Sequence, residues 1–155
     1  MRFSDALDRK MEDIQRPPNL PIGHYVWTVS KLPDMDEFEG RSGDTFERLT
    51  FQLTCVSAHD DVDPDELAEY GNPAGAVQRK SFLFTNNPEE KANFERSMFN
   101  LKRFLHDHLG LDSGLSLEEA LANSVGQQCL GELKHRPDPN DPEIVYSEVG
   151  NTAAI

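Results

Sequence analysis

The sequence predicts a mainly β fold with an α insert: five strands curled into a small barrel and preceded by a helical arm. Three observations lead there. Period-two alternation recurs in short runs separated by turn residues, residues 87–110 carry a helical period instead, and strand-like runs flank that helix on both sides. A chain of 155 residues is long enough to bury one core without disulfides or metal.

The arm covers residues 1–22. Ser4 is a candidate cap for a short helix with Leu7, Met11 and Ile14 on one face, which Pro17 and Pro18 end. It mixes acids and bases, so it does not read as a secretory signal. Packing of this arm on the domain, or on a second copy in a homo-oligomer, is as reasonable as a free tail.

In residues 24–32, Tyr25, Trp27 and Val29 alternate with Val26, Thr28 and Ser30. Trp27, the single tryptophan, fits a core anchor or a base-stacking platform. Residues 33–44, with Gly40 and Gly43, read as a long flexible loop. Residues 46–56 form the clearest strand. Leu49, Phe51, Leu53 and Cys55 point one way; Phe46, Arg48, Thr50, Gln52 and Thr54 point the other, giving either a solvated face or a ligand-contacting one.

Residues 57–76 are acidic, with one expected helical turn at 65–70. Asp61, Asp63 and Asp65 imitate the start of a calcium loop, but Glu66 replaces the turn glycine and Asn72 the bidentate glutamate, which excludes an EF-hand. Residues 77–85 are a third strand, with Phe82 and Phe84 on one face and Arg79, Ser81 and Leu83 on the other.

Asn87 and Pro88 then start the long helix, with Glu89 and Glu90 at its positive end. Phe94, Met98, Leu101, Leu105 and Leu109 recur at spacings of four, three, four and four; Phe99 and Phe104 widen the stripe, and Gly110 stops it. Ser116 and Glu119 make a capping box for a second helix that Gly126 closes. Residues 127–136 alternate Leu130, Glu132, Lys134 and Arg136 against Cys129, Gly131, Leu133 and His135. A proline-rich turn at 137–142 leads to a last strand at 143–149, and 150–155 read as a flexible tail.

The order β-β-β-α-α-β-β over residues 23–149 is that of an OB-fold barrel. An α+β sheet with one covered face is the alternative.

Chemistry-bearing motifs are scarce. The chain has no G-x-S-x-G, Walker loop, G-x-G-x-x-G or H-E-x-x-H, so no enzymatic activity, cofactor or metal is expected. His106 and His108 lie two apart on a helix and diverge. Cys55 with His59 and Cys129 with His135 lack regular zinc spacing, and both cysteines read as buried free thiols.

The formal charge is −13, which argues at first against a nucleic-acid partner. Its distribution changes that. Residues 34–39 and 60–69 hold ten acids and no base, leaving −3 for the other residues. Residues 77–85 contain Arg79 and Lys80 and no acid. The two acidic segments are candidate contacts for a protein partner.

Four stretches carry a resemblance: residues 21–25 (Pro, Ile, Gly, His, Tyr); residues 49–53 (Leu, Thr, Phe, Gln, Leu); residues 101–111, from Leu101 through Phe104 and Leu105 to Leu109, Gly110 and Leu111; and Val125 with Gly126. Across residues 20–149 the chain resembles small phage-encoded OB-fold single-stranded-DNA-binding proteins of replication and recombination modules. The resemblance implies an accessory protein of the bacterial host's cytoplasm with no membrane segment. Single-strand binding needs cations along the phosphates and faces for base stacking. The residues here that fit are Phe46, Arg48, Gln52, Arg79, Lys134, Arg136 and Tyr146, expected as one track. The loops expected to flank that track are acidic, at Asp34 to Glu39 and Asp138 to Asp141.

Overall fold

The computed structural model describes residues 2–155. Six strands form one antiparallel sheet: β1 Gly23–Val29, β2 Asp34–Glu39, β3 Thr45–Ala58, β4 Val77–Thr85, β5 Gln128–Pro137 and β6 Val145–Ala153. Helix α1 (Pro64–Tyr70) lies between β3 and β4; α2 (Lys91–Lys102) and α3 (Leu117–Asn123) lie between β4 and β5. Among the described residues no helix is long and apolar enough to cross a membrane.

The strand order is β2-β3-β1-β5-β6, with β4 on the other edge of β3. The length of β3 explains this branching. Its residues 45–50 pair with β2, its residues 53–58 pair with β1, and β4 runs along its opposite edge. Strands β4 and β6 each have one ladder partner and approach each other across a seam, bridged where Lys80 Nζ donates to the Gly150 carbonyl at 3.2 Å. A ladder closing the sheet is not present among the described residues, so the expected closed barrel is replaced by a curled open sheet.

The inward faces follow the alternation. Tyr25, Trp27 and Val29 of β1 and Leu49, Phe51, Leu53 and Cys55 of β3 are all buried. Trp27 is 0% exposed and donates its indole N–H to the Gly131 carbonyl at 3.1 Å, so it is a core anchor and not a stacking platform. Gly131 must be small there, since a Cβ would sit 2.8 Å from the indole. Cys55 and Cys129 stand opposite Trp27 on its two neighbouring strands as free thiols, and burial pushes both up to about 11.

Asn87 caps the helical segment by accepting from the Glu89 N–H at 2.9 Å, with Pro88 in its first turn. After α2 the helix widens into a π turn at Arg103–His108, where the Leu109 N–H reaches the Phe104 carbonyl five residues back. That extra residue lets the adjacent Phe104 and Leu105 both face inward. Phe104 meets Phe51 and Phe82 at centroid distances of 5.0 and 5.5 Å, which fixes the helix over the sheet. Ser116 caps α3 through the Glu119 N–H.

Several local expectations are corrected. Residues 33–44 are not a flexible loop; they contain β2, paired in register with β3. The arm forms two short 3-10 turns, Phe3–Ala6 and Met11–Asp13, and not one helix. Phe3, Leu7, Met11 and Ile14 are exposed, whereas Leu20 is buried and its carbonyl accepts from His135 Nε2 at 2.7 Å. With no core surface to cover, an apolar stripe cannot hold a helix of this length. Strand β6 also continues past Val149, pairing Thr152 with Gly131, so 150–153 are ladder and not tail.

Candidate nucleic-acid interface

The expected track divides into two groups. In the first, β3 presents Phe46, Arg48, Thr50 and Gln52 outward, opposite Thr85, Leu83, Ser81 and Arg79 of β4. The structure therefore brings Phe46, Arg48, Gln52 and Arg79 onto one face, as the alternation predicts.

Strand β2 extends this face with a ring that the sequence reading did not include. Phe38 is opposite Phe46, and their rings stack with centroids 5.6 Å apart and planes at 21°. The Arg48 guanidinium lies 5.1 Å from the Phe38 centroid. Asp36, also opposite Arg48, holds that guanidinium with two hydrogen bonds, the Nε contact being 3.0 Å. This bidentate contact lowers the Asp36 carboxyl pKa and raises that of Arg48. Arg79, by contrast, makes no hydrogen bond or ion pair among the described residues.

Lys134, Arg136 and Tyr146 form the second group, on the outer face of β5 and β6, where Arg136 is opposite Tyr146. Each is tied to an acid. Lys134 Nζ is 3.2 Å from Glu132, Arg136 Nε is 4.0 Å from Glu148, and the Tyr146 hydroxyl donates to Asp138 at 3.0 Å. The last bond raises the tyrosine's pKa and helps lower that of Asp138, whose largest influence is the Asn140 N–H.

Register separates the groups. Val29 of β1 pairs with Leu53, beside Gln52, whereas Gly23 at the other end of β1 pairs with Leu133, beside Lys134. Along β1 the two groups sit at opposite ends, but across the seam they approach: Lys134 packs at Gly150, whose carbonyl accepts from Lys80, the neighbour of Arg79. Between them His24 is held by Asp61 at 2.6 Å and lies 3.6 Å from Glu132. The expected residues therefore fall into a β2–β3–β4 face and an acid-paired cluster on β5 and β6.

The larger acidic segment is partly structural. Asp63 caps α1 through the N–H groups of Asp65 and Glu66, and Val62 tucks beneath Gly23 with 4% of its surface exposed. His106 and His108 do diverge: the first bonds the Leu111 carbonyl, the second the Thr152 hydroxyl. In comparisons with known proteins, no family model and no curated protein matches this chain.

Proposed function

We propose that this chain is an OB-like module that binds single-stranded DNA on the outer face of β3 and β4, as an accessory factor of phage-type replication or recombination. The observation that carries this is the shared face of Phe38, Phe46, Arg48, Gln52 and Arg79. In an OB barrel the second and third strands form the oligonucleotide face. With β2 taken as a ribbon added within the first connection, β1, β3, β4, β5 and β6 follow OB order, and the long helix falls between the third and fourth. The stacked rings offer π surface to bases, and Arg79 offers a phosphate contact that no acid among the described residues occupies.

Fluorescence anisotropy with labelled oligo-dT across a salt series tests this. Binding at ~50 mM salt that weakens with a shallow slope, one to two phosphates neutralised and their counterions released, is the expected result. No binding at micromolar protein overturns it. Tryptophan emission should stay unchanged on binding, because the single tryptophan is buried under the sheet.

One observation favours a second reading, an acidic module for a basic protein partner. Asp36, Glu132 and Glu148 already neutralise Arg48, Lys134 and Arg136, while β2 leaves Asp34, Glu37 and Glu39 exposed. Salt-sensitive binding to a polylysine probe with none to oligo-dT would select it.

A further inference from the structure

A second polar site lies on the opposite edge of β4. At the seam between β4 and β6 a pocket of about 570 Å³ opens under the end of α2 and the π turn. Its lining includes Lys80, Ser97, Asn100, Arg103, His108 and Thr152, and no Asp or Glu. In a chain of formal charge −13 with 28 acids, a cavity lined by a lysine, an arginine and no carboxylate is a clear departure from the average surface.

Each cation is placed for a ligand. Lys80 lies on the inward side of its strand with Phe82, and its ammonium sits 5.5 Å from the Phe82 ring centroid and 5.7 Å from that of Phe104. One of its three protons goes to the Gly150 carbonyl, which leaves two donors toward the pocket. Burial lowers its pKa, and no ion pair among the described residues opposes that cost. Arg103, one turn along from Phe99 on the exposed side of the helix, makes no hydrogen bond or ion pair among the described residues. Ser97 and Asn100 add a hydroxyl and an amide on the helix face above it, and their side chains are likewise without hydrogen bonds among the described residues. His108 is fixed by Thr152 at 2.8 Å, and burial lowers its pKa, so its ring stays mainly neutral near pH 7. The neighbouring acid Asp107 sits 3.9 Å from His106, on a side chain outside the lining.

We propose that this pocket binds a phosphate monoester of nucleotide size, with Arg103 and Lys80 on the phosphate oxygens and Ser97 and Asn100 completing the donor set. A phosphate offers three terminal oxygens in a tetrahedral array, which suits donors arriving from a strand on one side and a helix on the other. The guanidinium fork and the ammonium point charge are complementary donors for that group. The volume is within the range of small-molecule sites and far exceeds that of a bare phosphate. Ser81 and Leu83 border both the pocket and the outer face, whereas Lys80, Ser97, Asn100 and Arg103 belong to the pocket alone, so substitutions there separate the two proposals.

The chemistry has two sources, a free mononucleotide or the phosphorylated end of a strand. The test is titration of the full chain with dTMP, thymidine and pyrophosphate, followed by amide chemical shifts and thermal melting. At about 5 mM, enough to reveal a millimolar site, dTMP and pyrophosphate should raise the melting temperature. They should also shift amides around residues 80–83, 100–103 and 150–152; thymidine should do neither. Arg103→Gln should melt like the parent without ligand, since its side chain is exposed, and bind dTMP about tenfold more weakly, as loss of a charge-assisted contact implies. Lys80→Met should lose binding similarly. Oligo-dT carrying a 5′-phosphate that binds more tightly than its 5′-hydroxyl form, through Arg103, identifies a strand end; dTMP binding without that preference identifies a free nucleotide. Silence with both dTMP and pyrophosphate, equal shifts with thymidine, or undiminished affinity in Arg103→Gln overturns the pocket, whatever oligo-dT does on the outer face.

Discussion

The outer face of β3–β4 and the seam between β4 and β6 share a strand, yet they hold positive charge in opposite ways. On the outer face Arg48 is bound to Asp36, and farther along the sheet Glu132 and Glu148 hold Lys134 and Arg136. At the seam Lys80 rests on a backbone carbonyl and two rings, with no carboxylate in the lining. Ion pairs hold only some of the lysines and arginines, Lys31, Arg48, Lys134 and Arg136 among them, so an unpaired cation alone marks nothing; a cavity whose lining has cations and no carboxylate does. Counting Lys and Arg along strands therefore says little about where an anion binds; the position of the nearest acid decides it.

This contrast is sharpest between two arginines of the same face. Arg79 is without an acid and Arg48 is saturated by one. Arg79→Glu should weaken oligo-dT binding about tenfold at ~50 mM salt and lower the salt slope by about one, as loss of a phosphate contact does. Removing the pair together, Asp36→Asn with Arg48→Gln, leaves the local charge unchanged and should cost only roughly twofold, through loss of the cation over Phe38. Equal losses in the anisotropy titrations would break the comparison.

A smaller effect is expected from releasing the held cation. Asp36→Asn leaves a neutral partner that still accepts a hydrogen bond and frees the Arg48 charge, so oligo-dT affinity should rise two- to threefold at ~50 mM salt and the gain should vanish near 0.5 M. An unchanged affinity would mean that Arg48 does not face the bound strand. Stability should hardly move, since exposed ion pairs contribute little.

The sheet was legible wherever one face is buried, because period two then leaves a mark. Strands β3, β4 and β5 appeared within a residue or two of their observed ends and β1 within three, and Asn87, Pro88 and Gly110 delimited the long helix correctly. Strand β2 left no mark: Asp34–Glu39 has no buried residue, and only its ladder with β3 keeps it extended. The arm failed for the reverse reason. Leu7, Met11 and Ile14 have helical spacing, but nothing covers them. At the site, alternation placed Phe46, Arg48, Gln52 and Arg79 correctly on one face, whereas the distance to Lys134 depends on the register of β1 with two partners, which no local pattern encodes. Lys80 was counted among the charges of β4 but placed on neither face. Its parity with Phe82 and Phe84 was the available signal, and a long stem lets a lysine occupy such an inward position with its charge at a rim.

Lys80 also allows the smallest test of the contrast, through pH. Burial pulls its pKa below the ordinary 10.5, so the folded state releases this proton before the unfolded state does. Well below the folded pKa both states are charged, and the wild type carries the full cost of a desolvated ammonium without a carboxylate. Between the folded pKa and 10.5 the unfolded chain binds the extra proton, so stability from this group rises with pH and the cost fades. Lys80→Met keeps the stem packed on Phe82 and Phe104 and removes the charge. It should therefore melt slightly higher than the parent at pH 7, and the difference should narrow as pH approaches 10.5. Tyr25, pushed up to about 12 chiefly by burial, is common to both proteins and cancels in the difference. Cys129, the other thiol coupled to this amine, titrates at about 11, above the window. Paired melting curves from pH 7 to pH 10 check this. A difference that stays flat or widens would mean that the amine is solvated in the fold, and the seam would then be no different from the outer face.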